Sequence, residues 1–195
     1  MEIVWEVEIL KYELVKRNLL SKINPTFVDA GCGDGLHQSN SGYFIKSGWQ
    51  ALLIDALESN IYKCETLYID NNKVEIIKAI LSDKKEEVYF QEDDRHLALS
   101  GIKDYIPNRT AFPISQILDN FTYFEPIGIL SLDLEGYETP VLKDLIDNKI
   151  FPQIIIVEGN TLELTKEHRN MLAPFYGTPI FGVLPNEVFL LNELK

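Results

Sequence analysis

Short runs of nearly uninterrupted apolar residues recur along the chain and limit its fold more than any other sequence feature. Runs of this kind, which lack strict alternation, are typical of strands buried on both faces of a parallel sheet. Segments with helical periodicity separate them, and this alternation predicts a doubly wound α/β fold. We assign strands to residues 26–29, 50–55, 74–81, 127–133 and 153–158, with a short edge strand at 88–90. We assign helices to residues 2–22, 36–47, 58–71, 114–121, 137–148 and 162–172.

The last two apolar runs, residues 179–184 and 187–191, have only Pro185 and Asn186 between them. A crossover between parallel strands needs about a dozen residues, so this connection is far too short for one. The sequence therefore predicts an antiparallel hairpin at the C-terminus.

The pattern as a whole predicts a single domain over residues 1–195, with a mostly parallel sheet of seven strands. Residues 1–25 form a helical lead-in to that sheet. The segment 91–112 is polar and carries Gly101 and Pro107. Long segments of this kind in compact domains are often functional, so we interpret it as a lid or insertion.

Composition narrows the class of protein. The chain is 46% hydrophobic and 25% charged, as in ordinary globular proteins. Its formal net charge of −12 disfavours a nucleic-acid groove, which needs clustered Lys and Arg. Cys32 and Cys64 lack metal-type spacing, which favours a reduced, cytoplasmic setting. No apolar run approaches the length of a membrane span, and nothing in the sequence indicates an oligomeric state.

A glycine-rich turn, Asp29–Gly35, follows the first predicted strand and precedes a predicted helix. Glycines allow a sharp turn and let a ligand lie against the main chain, while the helix start offers unpaired N–H groups. Asp55 ends the next predicted strand, about twenty residues on, where a carboxylate can bind ribose hydroxyls. These features predict a ligand that contains a ribose.

The spacing of the glycines and the acid before them distinguish two such ligands. The turn reads G-x-G-x-G, whereas a dinucleotide fingerprint reads G-x-G-x-x-G. Asp29 would repel a pyrophosphate, but it can neutralise a cationic group. S-adenosylmethionine carries an ammonium and a sulfonium and no phosphate, so the charge pattern favours it over NAD. An NAD-using enzyme is the less favoured alternative.

Two separate blocks of the sequence resemble the FkbM family of methyltransferases. The first comprises residues 27–35, 38–41 and 48–55, and the second is residues 130–138 with its D-x-E-G-x-E segment. The resemblance covers roughly residues 26–160 and includes the strand ends at 79–83, 141–143 in the following helix and 154–158. Ala56-Leu57 stands where the family usually has a proline, and Asp55 where it often has Glu.

The resemblance implies the class I methyltransferase fold and S-adenosylmethionine as cofactor. It implies O-methylation of a hydroxyl on a small-molecule or glycan acceptor. In the cofactor site, Asp29, Gly31, Gly33 and Gly35 would hold the methionine end. Asp55 would bind the ribose, Ser82 and Asp83 would lie beside the adenine, and Asp133 would face the methyl group or the acceptor.

Methylation of a hydroxyl requires a base, and the sequence offers several candidates. Asp133, Glu135 and Glu158 stand at or just after predicted strand ends, and we assign the catalytic role to them. Glu138 is interpreted as a solvated residue in the first turn of a helix. His168 is a further candidate, although a solvated surface histidine is the simpler interpretation; Arg95 and His96 could close over an acceptor.

Two hypotheses stay open beside this assignment. Asp133, Glu158 and Asn160 resemble the oxygen ligands with which some O-methyltransferases hold Mg²⁺, although Gly159 breaks the usual spacing. The chain could also be a non-catalytic module that binds S-adenosylmethionine or serves in interaction.

Overall fold

The computed structural model describes residues 5–37, 39–91, 101–103, 108–183 and 185–194. Its strands are β1 (Thr26–Ala30), β2 (Gln50–Asp55), β3 (Val74–Lys78), β4 (Ile80–Ser82), β5 (Glu86–Gln91), β6 (Gly101–Lys103), β7 (Arg109–Pro113), β8 (Ile129–Leu132), β9 (Ile154–Glu158), β10 (Phe181–Val183) and β11 (Asn186–Leu190). Its helices are α1 (Trp5–Lys16), α2 (Gly42–Lys46), α3 (Glu58–Leu67), α4 (Ile114–Leu118), α5 (Glu138–Asp147) and α6 (Leu162–Tyr176), with 3₁₀ turns at Asp119–Phe124 and Asn192–Leu194.

The main sheet has seven strands in the order β10-β11-β9-β8-β1-β2-β3. The five strands from β9 to β3 are parallel, while β11 is antiparallel to both β9 and β10. The predicted fold class, a mostly parallel seven-stranded sheet with a C-terminal antiparallel hairpin, is confirmed. Strand order reverses between β1 and β8, so a crevice opens at the carboxyl ends of these two strands.

Helices cover both faces of the main sheet, and each face has its own core. Neighbouring residues of a strand point to opposite faces, so Phe27 packs in one core and Val28 in the other. Both side chains are fully buried. This double burial explains why the strands read as continuous apolar runs in the sequence.

A second sheet of four strands, in the order β4-β7-β5-β6, corrects two strand assignments. The single strand predicted for 74–81 divides at Ala79, because β3 pairs with β2 in the main sheet while β4 pairs with β7 in the second. The segment 88–90 is not an edge strand, since it belongs to β5, which lies between β7 and β6.

The segment 91–112 contributes the end of β5, β6 and most of β7 to this second sheet. Its residues 92–100 and 104–107, with Arg95 and His96, lie outside the described residues.

Most of the predicted helices are shorter in the structure, and the difference is largest for two of them. The helix predicted over 36–47 begins only at Gly42, because the serines before it bind the side chain of Asp29 instead of continuing a helix. In the lead-in, α1 ends at Lys16, close to Asn18, whose φ of 54° is left-handed. None of the described helices is long and apolar enough to cross a membrane.

Candidate functional site

The glycine turn lies at the carboxyl ends of β1 and β8. The surroundings of its three glycines differ in how much space they leave for a side chain. Gly31 has a φ of 85°, and a Cβ atom there would come within 1.8 Å of the carbonyl oxygen of Asp133. At Gly35 a Cβ would lie 2.9 Å from the Cys64 sulfur. At Gly33, with a φ of 56°, a Cβ would meet no atom within 4 Å. Gly31 and Gly35 therefore serve packing, whereas Gly33 leaves open space.

The open space at Gly33 belongs to a cavity of about 280 Å³. Gly31, Gly33 and Asp55 line its polar wall, and Asp133 and Glu135 line the wall toward β8. The structure thus brings together residues from both sequence blocks that resemble the FkbM family. A cavity of this size, with apolar walls and a few convergent polar groups, is typical of a small-molecule site.

Asp55 holds the glycine turn in place. One carboxylate oxygen accepts a hydrogen bond from the Gly33 N–H at 3.0 Å, and the other accepts from the Leu57 N–H at 2.8 Å and the Asn60 amide at 3.2 Å. Burial raises the pKa of Asp55, although these hydrogen bonds favour its ionised form. Asp55 therefore lines the cavity and also orders the backbone beside it.

Asp29 lies behind the turn and does not line the cavity. Its Oδ2 accepts hydrogen bonds from the Ser41 hydroxyl at 2.6 Å, the Ser41 N–H at 3.3 Å and the Ser39 hydroxyl at 3.4 Å. The side chain is 2% exposed, and this burial raises its pKa to about 6. Asp29 is therefore a buried negative charge beneath the glycine turn, stabilised by serine donors.

Ser82 and Asp83 stand apart from the other predicted cofactor residues. The Ser82 hydroxyl is buried and donates to Glu86 at 2.6 Å, while Asp83 accepts from Lys143 at 2.7 Å. The hydrogen bond and charge of Lys143 lower the pKa of Asp83. Neither residue lines the cavity, and Ile80 and Leu81, just before them, form that part of its wall.

Three predicted catalytic carboxyl groups gather at the carboxyl ends of β8 and β9. Burial, followed by the charge of Glu158 and a hydrogen bond with it, raises the pKa of Asp133 to about 9. The pKa of Glu135 is raised to about 7, by partial burial and then by the charges of Glu158 and Glu138. At neutral pH, Asp133 therefore holds a proton, whereas Glu135 exchanges one.

Glu138 is not the solvated residue that the sequence suggested, because its side chain is fully buried. One carboxyl oxygen accepts from the Leu134 N–H at 2.7 Å and the Gly136 N–H at 3.2 Å. These bonds close the tight turn between β8 and α5, where Glu135 has a left-handed φ of 55°. Glu138 therefore shapes the backbone that presents Glu135.

The interpretation of His168 as a solvated surface residue is also wrong. His168 is 1% exposed, and its Nε2 lies 3.2 Å from the Thr139 hydroxyl. Burial lowers its pKa, and the ring does not line the cavity. His168 connects α6 to α5, so the structure does not place it among the catalytic groups.

The metal hypothesis gains no support from the geometry. Among the described residues there is no group of three His, Cys, Asp or Glu side chains that could share a metal ion. Asn160 turns its amide nitrogen, not its oxygen, toward Glu158 at 3.1 Å. This donor set does not fit Mg²⁺.

Sequence reasoning missed the apolar wall of the cavity. Leu57, Ile80 and Phe90 line it and also form the small core beneath the second sheet. Asn108 holds Phe90 in place: its Oδ1 accepts from the Phe90 N–H at 2.9 Å, and its Nδ2 donates to the Phe90 carbonyl at 3.0 Å. Phe90 lies 35 residues after Asp55, and no sequence motif connects it to the glycine turn.

The strand order and the position of the crevice define the fold of class I methyltransferases, a conclusion that solved structures support. No family model matches the sequence, and no curated protein is significantly similar. The bifunctional kinase-methyltransferase WbdD is 13% identical with a TM-score of 0.55, covering 98% of this chain and 40% of WbdD. This chain thus spans about two fifths of WbdD.

Two shorter proteins share the fold over most of their length. The human methyltransferase 10 domain containing protein is 10% identical with a TM-score of 0.51, covering 98% of this chain and 83% of that one. The methyltransferase domain of bacterial CtHen1 is 17% identical with a TM-score of 0.51, covering 95% of this chain and all of that domain. At these identities the comparisons establish the fold.

Proposed function

We propose that the chain is an S-adenosylmethionine-dependent methyltransferase of the FkbM family that methylates a hydroxyl group. One observation carries the proposal: the open glycine at Gly33, the carboxylate of Asp55 and the carboxyl group of Glu135 line the same cavity. The shared fold supports a methyltransferase, and the charge beneath the turn supports a cationic cofactor.

The described residues fit S-adenosylmethionine. Gly33 leaves free the space that any side chain would fill, so a ligand can lie against the backbone there. Asp29 supplies a buried negative charge for the cationic methionine end, and Asp55 supplies acceptor atoms for ribose hydroxyls. Ile80 and Phe90 offer an apolar wall to the adenine. Ser82 and Asp83 follow Ile80 and Leu81 in the chain and do not line the cavity, so we propose that they lie beside the adenine without contacting it.

When bound, the cofactor would supply a methyl group bonded to its sulfonium sulfur. The protein must orient the acceptor and remove its proton. Glu135 suits the task of base, because its pKa of about 7 lets it accept a proton at neutral pH and its side chain is solvent-accessible. Asp133 keeps its own proton at that pH and donates it in a hydrogen bond to Glu158, which positions both groups beside the acceptor.

The acceptor that best fits this arrangement is an uncharged hydroxyl compound, such as a carbohydrate. The cavity wall toward β8 carries the carboxyl groups of Asp133 and Glu135, and Glu158 lies against them. The negative charge of Glu158 and the net charge of −12 disfavour a polyanion such as a nucleic acid.

The cofactor assignment is tested by calorimetric titration of the protein with S-adenosylhomocysteine and with NAD. We expect micromolar or tighter binding of S-adenosylhomocysteine and none of NAD. Asp55→Ala should weaken binding at least tenfold, since hydrogen bonds to a charged group contribute about 1.5–3 kcal/mol. Asp119→Ala, at the start of a 3₁₀ turn, is the matched control. Binding of NAD alone would overturn the assignment.

Catalysis is tested separately, with S-adenosylmethionine labelled on its methyl group and a panel of sugars, catechols and amines. We expect label on an oxygen, and at least a hundredfold loss in Glu135→Gln with unchanged binding of S-adenosylhomocysteine. Label on nitrogen would replace O-methylation by N-methylation. Cofactor binding without transfer to any acceptor would favour the non-catalytic alternative.

A further inference from the structure

The two cysteines of the chain meet directly behind the glycine turn. Cys32 belongs to the turn and Cys64 to α3, and their sulfur atoms are 3.9 Å apart. Both are free thiols, and both sulfurs lie near the carbonyl oxygen of Gly33, at 3.6 and 3.5 Å. The sequence separates them by 32 positions and gives no sign of this contact.

Both cysteines are buried, but they differ in their position relative to the cavity. Cys64 is fully buried, whereas Cys32 is 2% exposed and lines the cavity. A small oxidant that enters the cavity therefore meets Cys32 first, and the Cys32 sulfur lies 3.9 Å from the Cys64 sulfur.

The geometry points to Cys32 and Cys64 as a disulfide-forming modification site behind the cofactor turn, oxidised by a peroxide through the open cavity. The Cys32 thiol reduces one hydrogen peroxide, giving a sulfenic acid and one water. The Cys64 sulfur then attacks the Cys32 sulfur, the S–O bond breaks, and the hydroxyl leaves with the Cys64 proton as a second water. Two thiols lose two electrons in total, and one peroxide gains them.

Formation of the bond would move the glycine turn. A disulfide holds its sulfurs about 2 Å apart, so the present separation of 3.9 Å must shrink by nearly half. The turn has little room to follow, since Gly31 packs against the backbone of Asp133 and the Gly33 N–H binds Asp55. Oxidation therefore displaces the backbone that lines the cavity.

The surroundings make the site slow to react in the reduced protein. The hydrogen bond with Cys64, burial and the charge of Asp29 raise the pKa of the Cys32 thiol. The thiolate is the reactive species, so oxidation should accelerate as pH rises.

The expected effect of the disulfide on cofactor binding rests on the proposed function. A molecule in the cavity covers Cys32, so S-adenosylhomocysteine should protect the pair, and the disulfide should weaken its binding at least tenfold.

The test treats the whole chain with hydrogen peroxide, with and without S-adenosylhomocysteine, and follows intact mass. We expect a loss of about 2 Da, the two thiol hydrogens, which is reversed by dithiothreitol and slowed at least fivefold by the ligand. Cys64→Ala and Cys32→Ala, checked for folding by thermal melting, should not lose this mass. Calorimetry then compares ligand binding before oxidation, after it and after reduction.

Each result decides a separate point. If the apo protein gains oxygen without losing two hydrogens, or forms only disulfide-linked dimers on a non-reducing gel, the modification site is refuted. An oxidised monomer that binds S-adenosylhomocysteine as tightly as the reduced one refutes the displacement of the turn. If the reduced protein does not bind the ligand at all, the proposed function fails, while the mass measurement still decides the disulfide.

Discussion

Gly31 lies so close to the carbonyl oxygen of Asp133 that a Cβ atom at position 31 would come within 1.8 Å of it. The contact joins the ends of β1 and β8, where Asp133 N–H also donates to Ala30 at 3.0 Å. Backbone atoms cannot move aside as a flexible side chain can. The two sequence blocks that carry the family resemblance are thus in direct contact.

This contact predicts different effects for two neighbouring glycines. Gly31→Ala should lower the free energy of unfolding by about 3 kcal/mol, because overpacking and the left-handed φ both add cost. The Cβ atom of Gly33→Ala would meet no other atom within 4 Å. Only the cost of the left-handed φ, about 1–2 kcal/mol, should therefore lower the free energy of unfolding of this variant. Its methyl group enters the cavity, so binding of S-adenosylhomocysteine should weaken at least tenfold. Urea denaturation and calorimetry measure both effects; equal stabilities would contradict the packing argument.

The buried Asp29 predicts a pH dependence of stability. Its pKa is about 6 in the folded protein against 3.8 for an ordinary aspartate, so the folded state binds the proton more tightly. The contribution of Asp29 to stability is therefore largest below pH 3.8, the ordinary pKa of an aspartate, and it is lost as the pH rises through about 6.

Asp29→Asn removes this titration. The free energy of unfolding of the variant relative to wild type should rise by up to about 3 kcal/mol between acid and neutral pH. Urea denaturation at both pH values measures it. A difference that does not change with pH would show that Asp29 keeps an ordinary pKa.

Binding of a cationic cofactor should release a proton from Asp29. An ammonium or sulfonium near the turn favours the ionised carboxylate, so the proton held near pH 6 leaves on binding. Calorimetric enthalpies measured near that pH should therefore differ between phosphate and imidazole buffers, which have different ionisation enthalpies. Asp29→Asn should abolish the difference, and its persistence in the variant would assign the proton to another group.

The contact between Asn108 and Phe90 predicts that the second sheet contributes to cofactor binding. Phe90→Ala should weaken S-adenosylhomocysteine binding at least tenfold, since stacking of a base on an aromatic ring contributes about 1–3 kcal/mol. Asn108→Ala should also weaken it, because two hydrogen bonds to the Phe90 backbone are lost. Asn108→Asp keeps the acceptor for the Phe90 N–H, so its affinity for S-adenosylhomocysteine should lie between those of the wild type and Asn108→Ala.

Phe90→Trp provides a direct measurement of this contact. Its fluorescence should change on titration with S-adenosylhomocysteine, whereas Phe112→Trp, on the same sheet but away from the cavity wall, should not respond. An unresponsive tryptophan at position 90 would remove Phe90 from the site.

Some errors of the sequence-based assignment share one cause. The helix predicted from residue 36 fails because Ser39 and Ser41 bind Asp29, and the solvated Glu138 is buried because it caps the Leu134–Gly136 turn. The strand predicted over 74–81 divides at Ala79, because the chain leaves the main sheet there and enters the second sheet. In each case the pattern was locally correct, but a tertiary partner determined the conformation.

The sequence by itself determined the layered α/β architecture, the C-terminal hairpin and the positions of the acids at the strand ends. Periodicity, apolar runs and a two-residue connection are local properties, and they survive without knowledge of distant contacts. Tertiary structure alone decided that Gly31 packs while Gly33 stays open, and that Phe90 forms a wall of the cavity. It also decided that Asp83 pairs with Lys143, 60 residues away. These outcomes depend on which groups from distant positions meet, and folding brings them together without leaving a pattern in the local sequence.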